Sequence, residues 1–475
     1  MKKISFILIA LLTCIVSMQA QQAKYVFYFI GDGMGVNHVH GTEMYQSELK
    51  GEIGISPLLF TQFPYATMVT TFSATNGVTD SAAAGTALAT GSKTKNGALG
   101  VQKDLTTEVS SVATWAKANG YRVGVSSSVS IDHATPAAFY AHQGSRSSYY
   151  NIGLDLIEAN FDFYAASDFL DPNNTRAKDG KTYESLYTLT QKAGFTLARG
   201  YKDYQKKAKK AEKMILFQSE AASAKDNSSI PYAIDRKKGD LSLADITRAG
   251  INFLSKNNNQ GFFLMVEGGK IDWAAHSNDG ATVMTEVQDL DEAVKVAYEF
   301  YEQHPDETLI VVTADHETGG LMLGAGRYEM KPELLKAQKM STDMLSRLFG
   351  ETFKKENNPT WEEAKAFFTE HLGLWGDVAV DRRTEQELKA IFDRNYGKTE
   401  STEERVVNMY SSSSLMVQQA VEYLNKAAGY GWSYGSHSGS PVGLYVKGKA
   451  AEAFLPARDN TDIAPIIAKV AGYSN

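Results

Sequence analysis

The chain has 475 residues, 43% of them hydrophobic and 22% charged, with a formal net charge of −7. That balance excludes a disordered chain, and the length fits one large domain with insertions or two to three ordinary ones. A net-acidic chain is a poor generic binder of phosphates, so any phosphate site must bring its own local positive charge.

Lys2 and Lys3 precede an apolar run over residues 4–16, and Ala20 offers a small residue for cleavage. A basic start before so brief an apolar stretch predicts a secretory signal over residues 1–20, with the folded domain at 21–475. The run is too short for a comfortable membrane span, and no later segment is apolar enough, so no transmembrane span is expected. Export to the periplasm or the outside follows. A lipoprotein-type cut before Cys14, the only cysteine, is the alternative and would give a lipid-anchored surface form.

Residues 25–30 read as a buried strand ending at Gly31. Helical patterns at 105–119, 242–256 and 283–301 are each followed by a strand pattern, at 121–127, 262–266 and 308–313. This rhythm predicts an α/β fold, a mainly parallel central sheet flanked by helices on both faces. Ligands in such sheets sit beyond the carboxyl ends of the strands. Lys206, Lys207, Lys209 and Lys210 form the densest basic group; without interleaved aromatics it reads as a solvated helix face, not a nucleic-acid site. From about 328 to 429, helical spacing prevails (Trp361, Ala364, Phe368 and Leu372; Met416, Ala420, Val421 and Leu424) with no strong strand between. That predicts a helical insertion, with a lid or a subunit contact as its candidate jobs.

Chemistry-bearing residues gather where the strands end. Asp32 lies in Gly31-Asp32-Gly33-Met34-Gly35; Val36 occupies the place of the third glycine of a dinucleotide fingerprint, so that reading fails. Asp32 is then either a metal ligand or a helix cap. Ser81 heads Ser81-Ala82-Ala83-Ala84-Gly85, and free N–H groups at a helix start would stabilise phosphate on its hydroxyl, although an ordinary N-cap serine reads the same way. His133-Ala134-Thr135-Pro136 is followed by Arg146, whose planar fork matches two phosphate oxygens. Glu267 follows a strand that ends at Val266; Asp272 and His276, four apart, share a face if the segment is helical, which suits zinc or a surface ion pair. Asp315 and His316 end the next strand, and His437 sits in a glycine-serine loop. His38, His40, His142, His304 and His371 have no comparable setting.

Each signal is modest alone. Together and in this order, from Asp32 to His437, they resemble the alkaline phosphatase family, most specifically at Asp80-Ser81-Ala82 and over residues 266–276. The resemblance implies hydrolysis of phosphate monoesters through a phosphoseryl intermediate on Ser81, with Arg146 on the non-bridging oxygens. It implies two zinc ions, one held by Asp272, His276 and His437, the other by Asp32, Asp315 and His316. A third, magnesium-type site is implied at Asp32, Thr135 and Glu267. His133 and Trp273 stand where some bacterial members carry an aspartate and a lysine, which opens the identity of the third metal and the strength of phosphate retention. A homodimer is also implied. The rivals are a sulfatase, which would need a Pro and Arg signature after its nucleophile where Ala82-Ala83-Ala84 stands, a diesterase, which commonly uses threonine, and a non-catalytic binding module, which needs no nucleophile.

Overall fold

The computed structural model describes residues 22–325, 328–354, 357–397 and 403–474. The expected signal, residues 1–20, lies outside the described residues. Nine strands make the central sheet: β1 Tyr25–Gly31, β2 Tyr65–Val69, β3 Arg122–Ser127, β4 Phe163–Ala166, β5 Phe195–Arg199, β6 Lys213–Phe217, β7 Phe262–Gly268, β8 Thr308–Ala314 and β9 Val442–Gly448. Their order is β2-β9-β8-β1-β7-β3-β4-β6-β5. Only β9 runs antiparallel to its neighbours, β8 and β2; the other pairings are parallel. The predicted mainly parallel sheet is therefore observed.

β1, β7 and β8 are buried along their whole length, because helices cover both faces of the sheet. The helices Leu243–Leu254 and Gly280–Gln303 pack on each other and on β7; Val112–Ala118 and Ile463–Ala471 pair separately, reaching β7 and β1. The helix expected over 105–119 is only Val112–Ala118, capped by Ser111, whose Oγ accepts from Thr114 N at 3.1 Å. Upstream, Asp104 Oδ1 accepts from Thr106 N and Thr107 N, both at 2.9 Å, and Leu105 has a φ of 66°. Such local side-chain bonding competes with helix formation, and apolar spacing alone does not reveal it. The later helices keep their expected places; Asp279 caps the longer one by accepting from Thr282 N at 3.2 Å.

Between residues 328 and 429 lie the helices Thr342–Thr352, Trp361–Leu372, Arg382–Tyr396 and Leu415–Ala428. An antiparallel pair of three-residue strands, Arg405–Val407 with Ser412–Ser414, lies between them, consistent with the expected lack of a strong strand. Among the described residues no helix is long and apolar enough to cross a membrane.

Strand register sets where the sheet's carboxyl ends fall. Gly31 of β1 lies level with Gly268 of β7 and Ala314 of β8, and Ser127 of β3 with Glu267. Four neighbouring parallel strands thus finish at one edge and deliver Asp32, Glu267 and Asp315 side by side.

Candidate functional site

At that edge three groups of donors converge. Ligand atoms of Asp32, Asp315 and His316 lie within 4.8 Å of one another, as do those of Asp32, His133 and Glu267, and those of Asp272, His316 and His437. The chain after β1 is fastened to its neighbours: Asp32 N donates to Gly268 O at 3.2 Å, and Gly33 N to Asp315 Oδ1 at 3.0 Å. Gly33 has a φ of 70°, and a Cβ there would stand 2.9 Å from the Asp272 Cα, so only glycine allows this approach. His316 Nε2 lies 3.3 Å from both Asp32 Oδ1 and Asp315 Oδ2.

Asp272 and His276 do share a face of the helix Lys270–His276, with His276 Nε2 3.3 Å from Asp272 Oδ2 and 3.2 Å from His437 Nε2. Both imidazoles are anchored behind. His276 Nδ1 donates to Gly435 O at 2.7 Å and His437 Nδ1 to Thr79 O at 2.9 Å, which turns each Nε2 forward. His437 is set in place by a short pairing of its loop with the residues after β8, His437 opposite Thr318.

Ser81 opens the buried helix Ser81–Thr90, and its Oγ lies 3.3 Å from His316 Nε2. Asp80 is the N-cap. One of its oxygens accepts from Ala83 N at 3.0 Å; the other takes Arg146 Nη1 at 3.1 Å. The cap therefore ties the arginine to the serine's helix. Gly85 lets that helix close on Thr135, since a Cβ there would stand 3.3 Å from the Thr135 Cα. Arg146 Nη2 lies 3.1 Å from His133 Nε2, and Trp273 meets the His133 ring edge-on at 5.9 Å.

The structure thus gathers all twelve candidate residues, with two differences in grouping. His316 stands within reach of both Asp32 and Asp272, and His133 enters the donor group of Asp32 and Glu267 instead of standing behind it. Three contributors were missed. Ser127 donates to Glu267 Oε2, Thr318 Oγ1 donates to Asp272 Oδ1, and the Tyr410 hydroxyl approaches Arg146. Thr318 follows His316 by two residues and was open to discovery; Tyr410 sits in a turn with no motif. His142 bonds Gly100 O at 2.7 Å and His304 packs on Phe300, so both serve structure.

Burial raises the Asp32 and Asp315 carboxyls well above their usual range, with added repulsion from Asp272 and Glu267, and it pushes Glu267 up to about 7. Asp272 goes the other way: burial opposes its charge, but the charge and hydrogen bond of His276, and then His437, hold it below the ordinary value. Burial and then the Arg146 charge depress His133 to about 3, and burial with the His437 ring holds His316 well down. Both Asp32 oxygens, Asp315 Oδ2, Asp272 Oδ2, Glu267 Oε1, Thr135 Oγ1 and His133 Nδ1 are buried without a hydrogen-bond partner among the described residues. Orphaned buried oxygens are costly unless a cation meets them. Carboxylates with neutral imidazoles suit divalent metal ions, so the donor set fits them.

A pH dependence is expected for the metal-free protein. Glu267 sits at about 7 when folded against an ordinary 4.5. A carboxyl raised by folding contributes stability that is full below its unfolded value and lost as pH rises through the folded one. The shift is worth about 3 kcal/mol, and the raised Asp32 and Asp315 act in the same direction. Depressed His133 and His316 work in the opposite direction below the ordinary imidazole value of 6.5, so calorimetry of chelated protein is expected to show a melting temperature that falls as pH rises above about 6.5. Metal-loaded protein is expected to hold its melting temperature there. A flat metal-free profile would mean that the clustered carboxyls carry no such strain.

Comparison with known proteins places these features. The family model described as alkaline phosphatase matches residues 23–473. The chain is 32% identical to alkaline phosphatase 3 of Bacillus subtilis (strain 168) over 458 residues, which cover 95% of this chain and 90% of that protein. Its fold matches the crystal structure of a cold-active alkaline phosphatase from a psychrophilic Shewanella species, with a TM-score of 0.75 and 28% identity over 94% of this chain and 99% of that one. It also matches a variant of the alkaline phosphatase from the Antarctic bacterium TAB5, with a TM-score of 0.66 and 25% identity over 96% of this chain and 99% of that one. In that variant a histidine is replaced by glutamate, and magnesium is bound in the M3 site.

Proposed function

The chain belongs to the alkaline phosphatase family, and we propose that it hydrolyses phosphate monoesters through a phosphoseryl intermediate on Ser81. The observation that carries this reading is the placement of the Ser81 hydroxyl, 3.3 Å from His316 Nε2, at the start of a helix whose cap also holds Arg146. A binding module needs the donors but not this hydroxyl.

The residues divide the work. Asp272, His276 and His437 would hold one cation, Asp32, Asp315 and His316 a second, and Asp32, Glu267 and Thr135 a third. Zinc suits the two histidine-bearing sets and magnesium the oxygen-rich one. When bound, these ions supply positive charge that favours the Ser81 alkoxide and neutralises the departing oxygen. Ser81 Oγ attacks phosphorus, the ester oxygen leaves with the alcohol, and water then attacks the phosphoserine to release phosphate and restore the hydroxyl. Arg146 forks two non-bridging oxygens, where charge sits in a loose transition state. The Asp80 cap takes the Ala83 N–H and Asp80 O the Ala84 N–H, which leaves the Ala82 N–H of the first turn to meet the same charge.

His133 bears on the third site. Its approach to Asp32 and Glu267 offers a nitrogen donor with which zinc or another nitrogen-tolerant cation could compete with magnesium, in exchange for the ring lone pair that Nε2 offers Arg146 Nη2. The TAB5 variant, which holds magnesium after a histidine-to-glutamate change, supports that reading by analogy. Lys2, Lys3 and the apolar run behind them support export, and the homodimer remains part of the proposal by family resemblance.

Phosphate release from a simple aryl monoester at alkaline pH tests the function. Protein loaded with zinc and magnesium is expected to turn over, and a chelated control to lose the activity. Folded, fully metallated protein without turnover would favour the diesterase or the binding module.

A further inference from the structure

We infer that Tyr410 is a positioning residue for Arg146, carried into the site by the turn between the strands Arg405–Val407 and Ser412–Ser414. The inference rests on the reading of Arg146 as the group that holds phosphate.

The Tyr410 hydroxyl lies 3.5 Å from Arg146 Nη2. Its ring stacks on Trp273, with centroids 4.6 Å apart and planes 12° from parallel. The same ring meets His276 edge-on at 5.3 Å and His133 at 5.9 Å. One side chain therefore touches the arginine, Trp273 and two histidines of the site, His276 and His133.

The turn is pinned, so this placement is not a matter of a loose side chain. Asn408 Oδ1 accepts from Tyr410 N at 2.8 Å and from Ser411 N at 2.7 Å, while its Nδ2 donates to Ser277 Oγ at 3.0 Å. Gln418 Nε2 donates to Ser277 O at 2.6 Å from the following helix. Ser277 directly follows His276, so the segment is locked to the end of the helix that carries Asp272 and His276.

A guanidinium on a long, flexible stem binds two phosphate oxygens well only when its plane is fixed beforehand. Asp80 restrains Arg146 from the side of Ser81 and His133 from the side of Glu267. Tyr410 supplies a third contact from a different part of the chain. A phenol can orient the fork as a neutral acceptor, whereas a second carboxylate would cancel more of the charge that phosphate needs.

The test is a double-mutant cycle on the metal-loaded enzyme, read as calorimetric affinity for inorganic phosphate and as kcat and KM for an aryl monoester. Tyr410→Phe keeps the stack and removes only the hydroxyl; Tyr410→Ala removes both. The Phe variant is expected to weaken phosphate binding about threefold and the Ala variant about tenfold, with KM rising accordingly and kcat changing less than about twofold. In an Arg146→Ala background the same Tyr410 substitutions are expected to change kcat/KM less than about twofold, because the group they act through is gone. Equal losses in both backgrounds, or unchanged phosphate affinity for Tyr410→Ala, would overturn the inference while leaving the phosphatase reading intact. A parent enzyme that neither binds phosphate nor hydrolyses the monoester would sink both.

Discussion

Ser81→Ala is expected to lower kcat for aryl monoester hydrolysis by about a thousandfold or more, with the metal content and melting temperature of the parent retained. The large loss follows from chemistry, since alanine offers no oxygen to accept the phosphoryl group. The small structural change follows from packing. Ser81 is fully buried, and among the described residues its hydroxyl has one hydrogen-bond contact, with His316 Nε2 at 3.3 Å. Losing so long a bond costs about 1 kcal/mol at most, and alanine is the better helix former at that position. Asp80 still caps the helix through Ala83 N. Metal analysis beside the rate separates the outcomes. Activity lost with metals retained identifies the nucleophile, whereas near-parental activity would remove Ser81 from the reaction.

The sheet and most of the site were legible because both rest on strong local signals. The β1, β7 and β8 strands are apolar on both faces and end in Gly31, Gly268 and Ala314, so their carboxyl ends were readable, and with them Asp32, Glu267 and Asp315. The four-residue spacing of Asp272 and His276 read correctly as one helix face. The illegible remainder depends on contacts distant along the chain. β4, β5 and β6 are only four or five residues long and give little periodicity, and β9 comes 128 residues after β8 ends yet pairs with it. Tyr410 reaches Arg146 across a separation of 264 residues, and no pattern around it announces that contact. His133 could be placed near the third donor group from resemblance, but its membership in that group is a matter of three-dimensional distance.

Asp32 is the residue on which function and stability pull hardest against each other. Its carboxylate belongs to two of the three donor groups, and neither oxygen has a hydrogen-bond partner among the described residues. Burial, and then Asp315, Asp272 and Glu267, all oppose its charge. Asp32→Asn keeps the shape and removes that charge, so two opposite effects are expected. The metal-free variant is expected to melt above the metal-free parent at neutral to alkaline pH, because repulsion among the carboxylates is relieved and the amide N–H groups can donate to their oxygens. The metal-loaded variant is expected to melt below the loaded parent. A hundredfold loss of metal affinity would remove about 2.7 kcal/mol of binding-linked stability under otherwise saturating conditions. Turnover is expected to fall by about a thousandfold or more, since on the proposed assignment two cation sites would lose a shared anionic ligand. Calorimetry with and without chelator, alongside metal analysis, reads both signs at once. A metal-free variant that melts below its parent would show that the Asp32 charge is satisfied by the protein alone, and the description of this cluster as strained by unpaired carboxylates would have to be given up.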